Sequence, residues 1–159
     1  MTGGGSTARA RRRKKGTKDA RYVQDYLLFT LNRRRIAFPL LHVRLRGRRG
    51  TLRTVALADS GATSSFVPVE IAEEVGLHLT PGPVAGGGGG DFSTFDGLLT
   101  LEVLHKGKVI HRFARLPVSV PRDPGRIPYV VLGRDSIFRA FTVTFEEHRA
   151  RLLLRRSGA

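Results

Sequence analysis

One carboxylate stands at the end of an apolar strand. Asp59 follows Val55-Ala56-Leu57-Ala58 and opens the small-residue run Ser60-Gly61-Ala62-Thr63. A strand of that composition favours burial, and a buried Asp is costly unless it is paired or has a task. Gly61 permits a sharp turn, and its small neighbours keep the loop narrow enough for close approach. Carboxylates hydrolyse a peptide bond in pairs, one ionised to activate water and one protonated to polarise the carbonyl. This chain offers one suitable Asp. On its own, the bland reading of Asp59 is a turn residue in a non-catalytic sheet, since Asp is common in turns.

Rival chemistries lack their required context. The histidines, His42, His78, His105, His111 and His148, show no H-E-x-x-H or paired-ligand spacing, so ordinary surface or strand positions are expected and no metal site. With no Cys in the chain, disulfides and thiolate metal sites are excluded. Ser60 lies in D-S-G-A, not in the G-x-S-x-G of a nucleophile elbow. Gly86-Gly87-Gly88-Gly89-Gly90 is followed by Asp91-Phe92, not by the Lys-Ser or Lys-Thr of a phosphate loop. Five glycines are costly in a packed element and useful in a moving tip; a plain flexible loop is the alternative.

The elements that must position Asp59 are strands. Leu41, Val43 and Leu45 alternate with His42, Arg44 and Arg46, the period of a half-buried strand. Gly47-Arg48-Arg49-Gly50 turns the chain, and residues 52–58 return to carry Asp59. Pro68 starts a helix over 69–75 with acidic residues in its first turns, and Gly76 ends it. Residues 77–84 are interrupted by Pro81 and Pro83. Residues 98–105 and 108–120 read as a hairpin about Lys106-Gly107, and Pro121-Arg122-Asp123-Pro124-Gly125 as a loop. A strand at 127–132, a short helix at 135–139 and two further strands follow, Phe141-Thr142-Val143-Thr144-Phe145 and Leu152-Leu153-Leu154.

Two of these segments together resemble one family. Asp59-Ser60-Gly61-Ala62 matches the D-[TS]-G-A signature of aspartic peptidases, and Tyr129 to Phe138, with Leu132-Gly133-Arg134-Asp135 at its centre, resembles the apolar-apolar-Gly plus Arg-Asp segment of the retroviral-type, retropepsin-like branch. The likeness covers residues 36–156. It implies an all-β, closed barrel-like sheet with one or two short helices, acting as a symmetric homodimer in which Asp59 and its mate share a proton and activate water. Peptide or protein would be the substrate, and no cofactor or metal is required. The resemblance further implies that Ser60, Gly61, Ala62 and Thr63 form the active-site loop and that Gly86, Gly87, Gly88, Gly89, Gly90, Asp91 and Phe92 form a flap. Leu132, Gly133, Arg134 and Asp135 would be structural supports.

At 159 residues and 40% apolar content the chain suits one domain with a tail. Its net charge is +15, yet residues 1–35 hold 11 of the 28 basic residues against Asp19 and Asp25, so most of the excess lies at one end. Residues 1–20 are expected to be a disordered basic arm, 21–35 a strand or linker segment, and 36–159 the peptidase domain. The arm reads as a solubilising extension or as a weak polyanion-binding element, and the latter defines the rival function, a non-catalytic dimeric module docking to nucleic acid or an acidic protein. No apolar run suits a membrane span, and a cytoplasmic protein is the default expectation.

Overall fold

The computed structural model describes residues 20–87 and 89–158. The basic stretch expected to be an arm lies outside the described residues except for Ala20, and so does Gly88 of the glycine run. Among the described residues no helix is long and apolar enough to cross a membrane.

The centre is a sheet built on β4 (Leu40–Gly47) and β5 (Gly50–Ala58), which pair antiparallel from Leu40↔Leu57 to Gly47↔Gly50. Leu41, Val43 and Leu45 are buried and the residues between them face outward, as the alternation predicts. Gly47 is needed for packing. A Cβ there would collide with the backbone carbonyl of Val75 at the end of helix α1 (Val69–Val75). That helix buries Val69, Ala72 and Val75, begins after Pro68 and stops at Gly76, whose φ of 71° is left-handed.

The longest strands, β7 (Phe92–His105) and β8 (Lys108–Pro121), form the expected hairpin, extended back to Phe92. One edge of β7 is shared by two partners: its first half pairs with β6 (Leu79–Ala85) and its second half with β4. Pro81 and Pro83, read as interruptions, lie inside β6. A proline has no N–H to donate, so it is tolerated because β6 is an edge strand, and the register shifts between Pro81 and Val84. On the far side, β9 (Val130–Leu132) runs parallel to β5, with Ala58 opposite Leu132.

Residues 21–38, of which 21–35 were expected to be a strand or linker segment, hold three strands. β1 (Arg21–Asp25) pairs with β11 (Arg151–Arg156), which pairs in turn with β10 (Phe141–Glu146). β2 (Leu27–Leu31) and β3 (Arg34–Phe38) form a separate two-stranded sheet, turning through Asn32 and Arg33 at positive φ. Between β1 and β2, Tyr26 is buried; its N–H donates to the Ala150 carbonyl at 2.8 Å and its hydroxyl to Glu147 Oε1 at 2.8 Å. Burial, then the bond to Glu147 and its charge, push the phenol up to about 12. The short helix α2 (Ile137–Ala140) leads directly into β10.

Inside this sheet sits one buried acid. Glu102 of β7 is 6% exposed and is ringed by Arg44, Arg46 and Arg112. Burial pushes its carboxyl up, but the hydrogen bond and charge of Arg44, with Arg46 and Arg112, outweigh burial and hold it below its ordinary value of 4.5. A depressed carboxylate stabilises the fold fully above that ordinary value, and the contribution is lost as pH falls through the folded-state value. His105 and His111 are also held below 6.5, mainly by burial, so their contributions are likewise complete above 6.5 and decline in acid. The expected result is a Tm that falls steadily as pH drops below 6.5, and a Glu102→Gln variant whose Tm is flatter than wild type below pH 4.5. A parallel pH profile in wild type and variant would contradict the assignment to Glu102.

Candidate active site

Asp59 is placed by two strands at once. β5 delivers it, and its N–H donates to the carbonyl of Leu132, the last residue of the parallel strand β9, at 3.1 Å. The loop then turns tightly: the Ala62 N–H donates to the Asp59 carbonyl at 3.2 Å, and the Gly61 N–H donates to Asp59 Oδ1 at 2.8 Å. A Cβ on Gly61 would lie 3.1 Å from that same oxygen, so the small residue keeps the carboxylate free on its open side. The side chain is half-buried, while Ser60, Gly61 and Thr63 are exposed.

The second motif is brought against the first. The Arg134 N–H donates to the Ala62 carbonyl at 2.9 Å and the Asp135 N–H to the Thr63 carbonyl at 3.2 Å. Arg134 Nη2 also donates to Thr63 Oγ1 at 3.1 Å, from an exposed position. Gly133 is buried under the loop. A Cβ on it would sit 2.7 Å from the Ser64 carbonyl carbon and 2.8 Å from the Ala62 oxygen, closer still to the Ser64 oxygen. Only a residue without a side chain lets these two segments approach so closely.

Ser65, which nothing in the sequence singled out, knots them together. It is fully buried; its Oγ donates to Asp135 Oδ1 at 2.7 Å, lies 2.7 Å from Ser136 Oγ and accepts from the Gly133 N–H at 3.2 Å, and its N–H reaches Asp135 Oδ2 at 3.3 Å. Asp135 is thus engaged in holding the loop. The resemblance implied a support at Asp135 but named no partner for it, because a serine before Phe66-Val67 reads as ordinary loop. Beyond Ser65, Phe66 exchanges both backbone bonds with Val131 at 2.9 Å, and Val67 donates to Ser119 at 3.0 Å. The segment after the loop is thereby stitched between β9 and β8.

Gly86, Gly87, Gly89 and Gly90 lie at the tip of the β6–β7 hairpin, since Ala85 pairs with Phe92. Phe92 lies 6.1 Å from Phe66, which places the base of the tip beside the segment that follows the Asp59 loop. A cavity of about 850 Å³ runs between the β4–β5 turn, the end of α1 and the β7–β8 hairpin; Ser64 and Asp135 reach it, and Asp59 does not. That cavity is therefore no guide to the carboxylate. Among the described residues no cluster of three or more His, Asp or Glu is arranged to hold a metal ion.

No family model matches the sequence, and no curated protein is similar to it. Solved structures do match. A retropepsin-like aspartic protease from Rickettsia conorii superposes with a TM-score of 0.53 at 14% identity, over 88% of this chain and 97% of that one. The EIAV protease complexed with the inhibitor HBY-793 gives a TM-score of 0.48 at 24% identity, over 70% and 92% of the two chains. The retroviral protease-like domain of Ddi1 from Leishmania major gives 0.46 at 17% identity, over 76% and 95%. With its strand order and its paired Asp and Gly-Arg-Asp segments, the chain has the retropepsin-like fold.

Proposed function

We propose that this protein is an aspartic endopeptidase that works as a symmetric homodimer, with Asp59 from each subunit forming the catalytic pair. The observation that carries the reading is the position of Asp59, which sits at the end of β5 on a loop tied at both ends to β9 and to Gly133-Arg134-Asp135. A rigid, half-exposed carboxylate on a narrow loop is suited to meet its own copy across a two-fold axis. Two carboxylates about 3 Å apart cannot both ionise readily, so the pair holds one proton between them.

The reaction then runs without a covalent intermediate. The ionised carboxylate takes a proton from water as its oxygen attacks the scissile carbonyl, and the protonated one hydrogen-bonds the carbonyl oxygen. The tetrahedral intermediate collapses as the amine leaves with a proton from the pair. In this reading Ser60, Ala62 and Thr63 line the site, the Gly61 carbonyl contacts substrate, and Gly86 to Phe92 close over the peptide to exclude water. Arg134 and Asp135 are supports.

Sedimentation equilibrium of the full chain tests the assembly on which the reading depends. A mass twice that of the 17.5 kDa chain is expected, together with cleavage of an unstructured peptide that statine-type transition-state mimics inhibit. A strict monomer at the concentrations used for the cleavage assay would remove the second acid and with it the proposal.

A further inference from the structure

The glycine tip has no side chains with which to pack, so whatever positions it must act through backbone groups. In this structure that partner is Arg126, from the loop that leads into β9. Its Nη2 donates to the Gly89 carbonyl at 2.7 Å and to the Gly90 carbonyl at 3.1 Å, while the guanidinium carbon lies 5.0 Å from the centre of the Phe92 ring. One guanidinium nitrogen therefore bridges two consecutive carbonyls, and the group covers the aromatic residue at the root of the same tip.

The loop that carries Arg126 is itself fastened. Arg122 donates from its backbone to the Ser93 carbonyl at 3.0 Å and stacks 4.3 Å over the Phe95 ring. Gly125, at a φ of 73°, donates its N–H to Glu70 Oε1 of α1 at 2.8 Å, and the Arg126 N–H closes a turn on the Asp123 carbonyl at 3.3 Å. Arg126 is thus a short arm on an anchored base, reaching the backbone of Gly89 and Gly90 between β6 and β7. A Cβ on Gly89 would sit 3.3 Å from its terminal nitrogen, so the tip accepts this contact because the residue there is glycine.

We infer that Arg126 is a positioning residue, a latch that holds the β6–β7 tip down on the 122–129 loop. The latch follows from the contacts alone; its effect on turnover rests on the peptidase reading above. In that setting the tip would be held ready to cover a peptide, and losing the latch would weaken substrate capture more than the chemical step.

Amide hydrogen exchange on the full chain decides the matter independently of any activity. Arg126→Ala is expected to speed exchange across 86–92 by about tenfold, the scale of a lost charge-assisted bond, with 99–104 in the core unchanged. Arg126→Lys, which keeps a cation and several donors, is expected to return the rate to within about threefold of wild type. Unchanged exchange at 86–92 in the alanine variant, or equal acceleration at 99–104, would overturn the latch. In the peptide assay KM should rise several-fold with kcat held within about threefold; a fall in kcat alone would contradict positioning. Exchange reads the latch even in a chain that cleaves nothing, so failure of the latch and failure of the peptidase reading are told apart.

Discussion

Asp59→Asn should lower peptide hydrolysis by about a thousandfold or more while leaving the fold intact, because in the proposed mechanism it removes the group that accepts the proton of the attacking water. The loop tolerates the change. Asn keeps an oxygen where Asp59 Oδ1 accepts the Gly61 N–H, and the half-exposed position leaves room for the amide. A melting temperature within about 2 °C of wild type is therefore expected, the scale of a surface change below 0.5 kcal/mol. Mixing adds a sharper discriminant. Co-refolding wild type with a ninefold excess of the variant leaves each wild-type chain an intact partner about one time in ten, so activity per wild-type chain should fall about tenfold. A single-chain enzyme would show no such loss. Full activity in the pure variant would end the proposal.

Gly133→Ala attacks the same site from behind. The added methyl has no free volume, since two backbone carbonyls of the Asp59 loop occupy it, and backbone yields less readily than a side chain. Relief requires the loop and the Gly-Arg-Asp segment to separate, which breaks the bonds from Arg134 to Ala62 and from Gly133 to Ser65 Oγ. We expect a loss of about 3 kcal/mol, a Tm lower by about 10 °C for a chain of this length, and no measurable hydrolysis in whatever folds. Thermal melts followed by circular dichroism check the first, and the peptide assay at a temperature where the variant is folded checks the second. A variant within 1 kcal/mol of wild type would show that the two segments are not braced as described.

Much of this arrangement could be read from residues. The alternation about Val43 and the turn at Gly47 to Gly50 set the strand that bears Asp59, and Pro68 with Gly76 bracketed the helix almost to the residue. Other features were hidden for physical reasons. Pro81 and Pro83 argue against a strand unless one knows that β6 is an edge, and edge position is a property of the assembled sheet. Tyr22 to Leu31 carries two strands, one paired with β11 far along the chain and the other with its neighbour β3, and periodicity says nothing of partners. Ser65 and Arg126 act through hydrogen bonds across 70 and 37 residues, with no local signature to mark them. Glu102 was passed over because an acid in an apolar strand is legible as buried only once three arginines from neighbouring strands surround it.

The pairing of β1 with β11 joins strands that are more than a hundred residues apart along the chain. While the chain is being made, β1 leaves the ribosome early and must wait for Leu152 and Leu154 before it has an edge to join. Closing so long a loop is slow, so the sheet of β1, β11 and β10 is expected to be the last part of the fold to be completed.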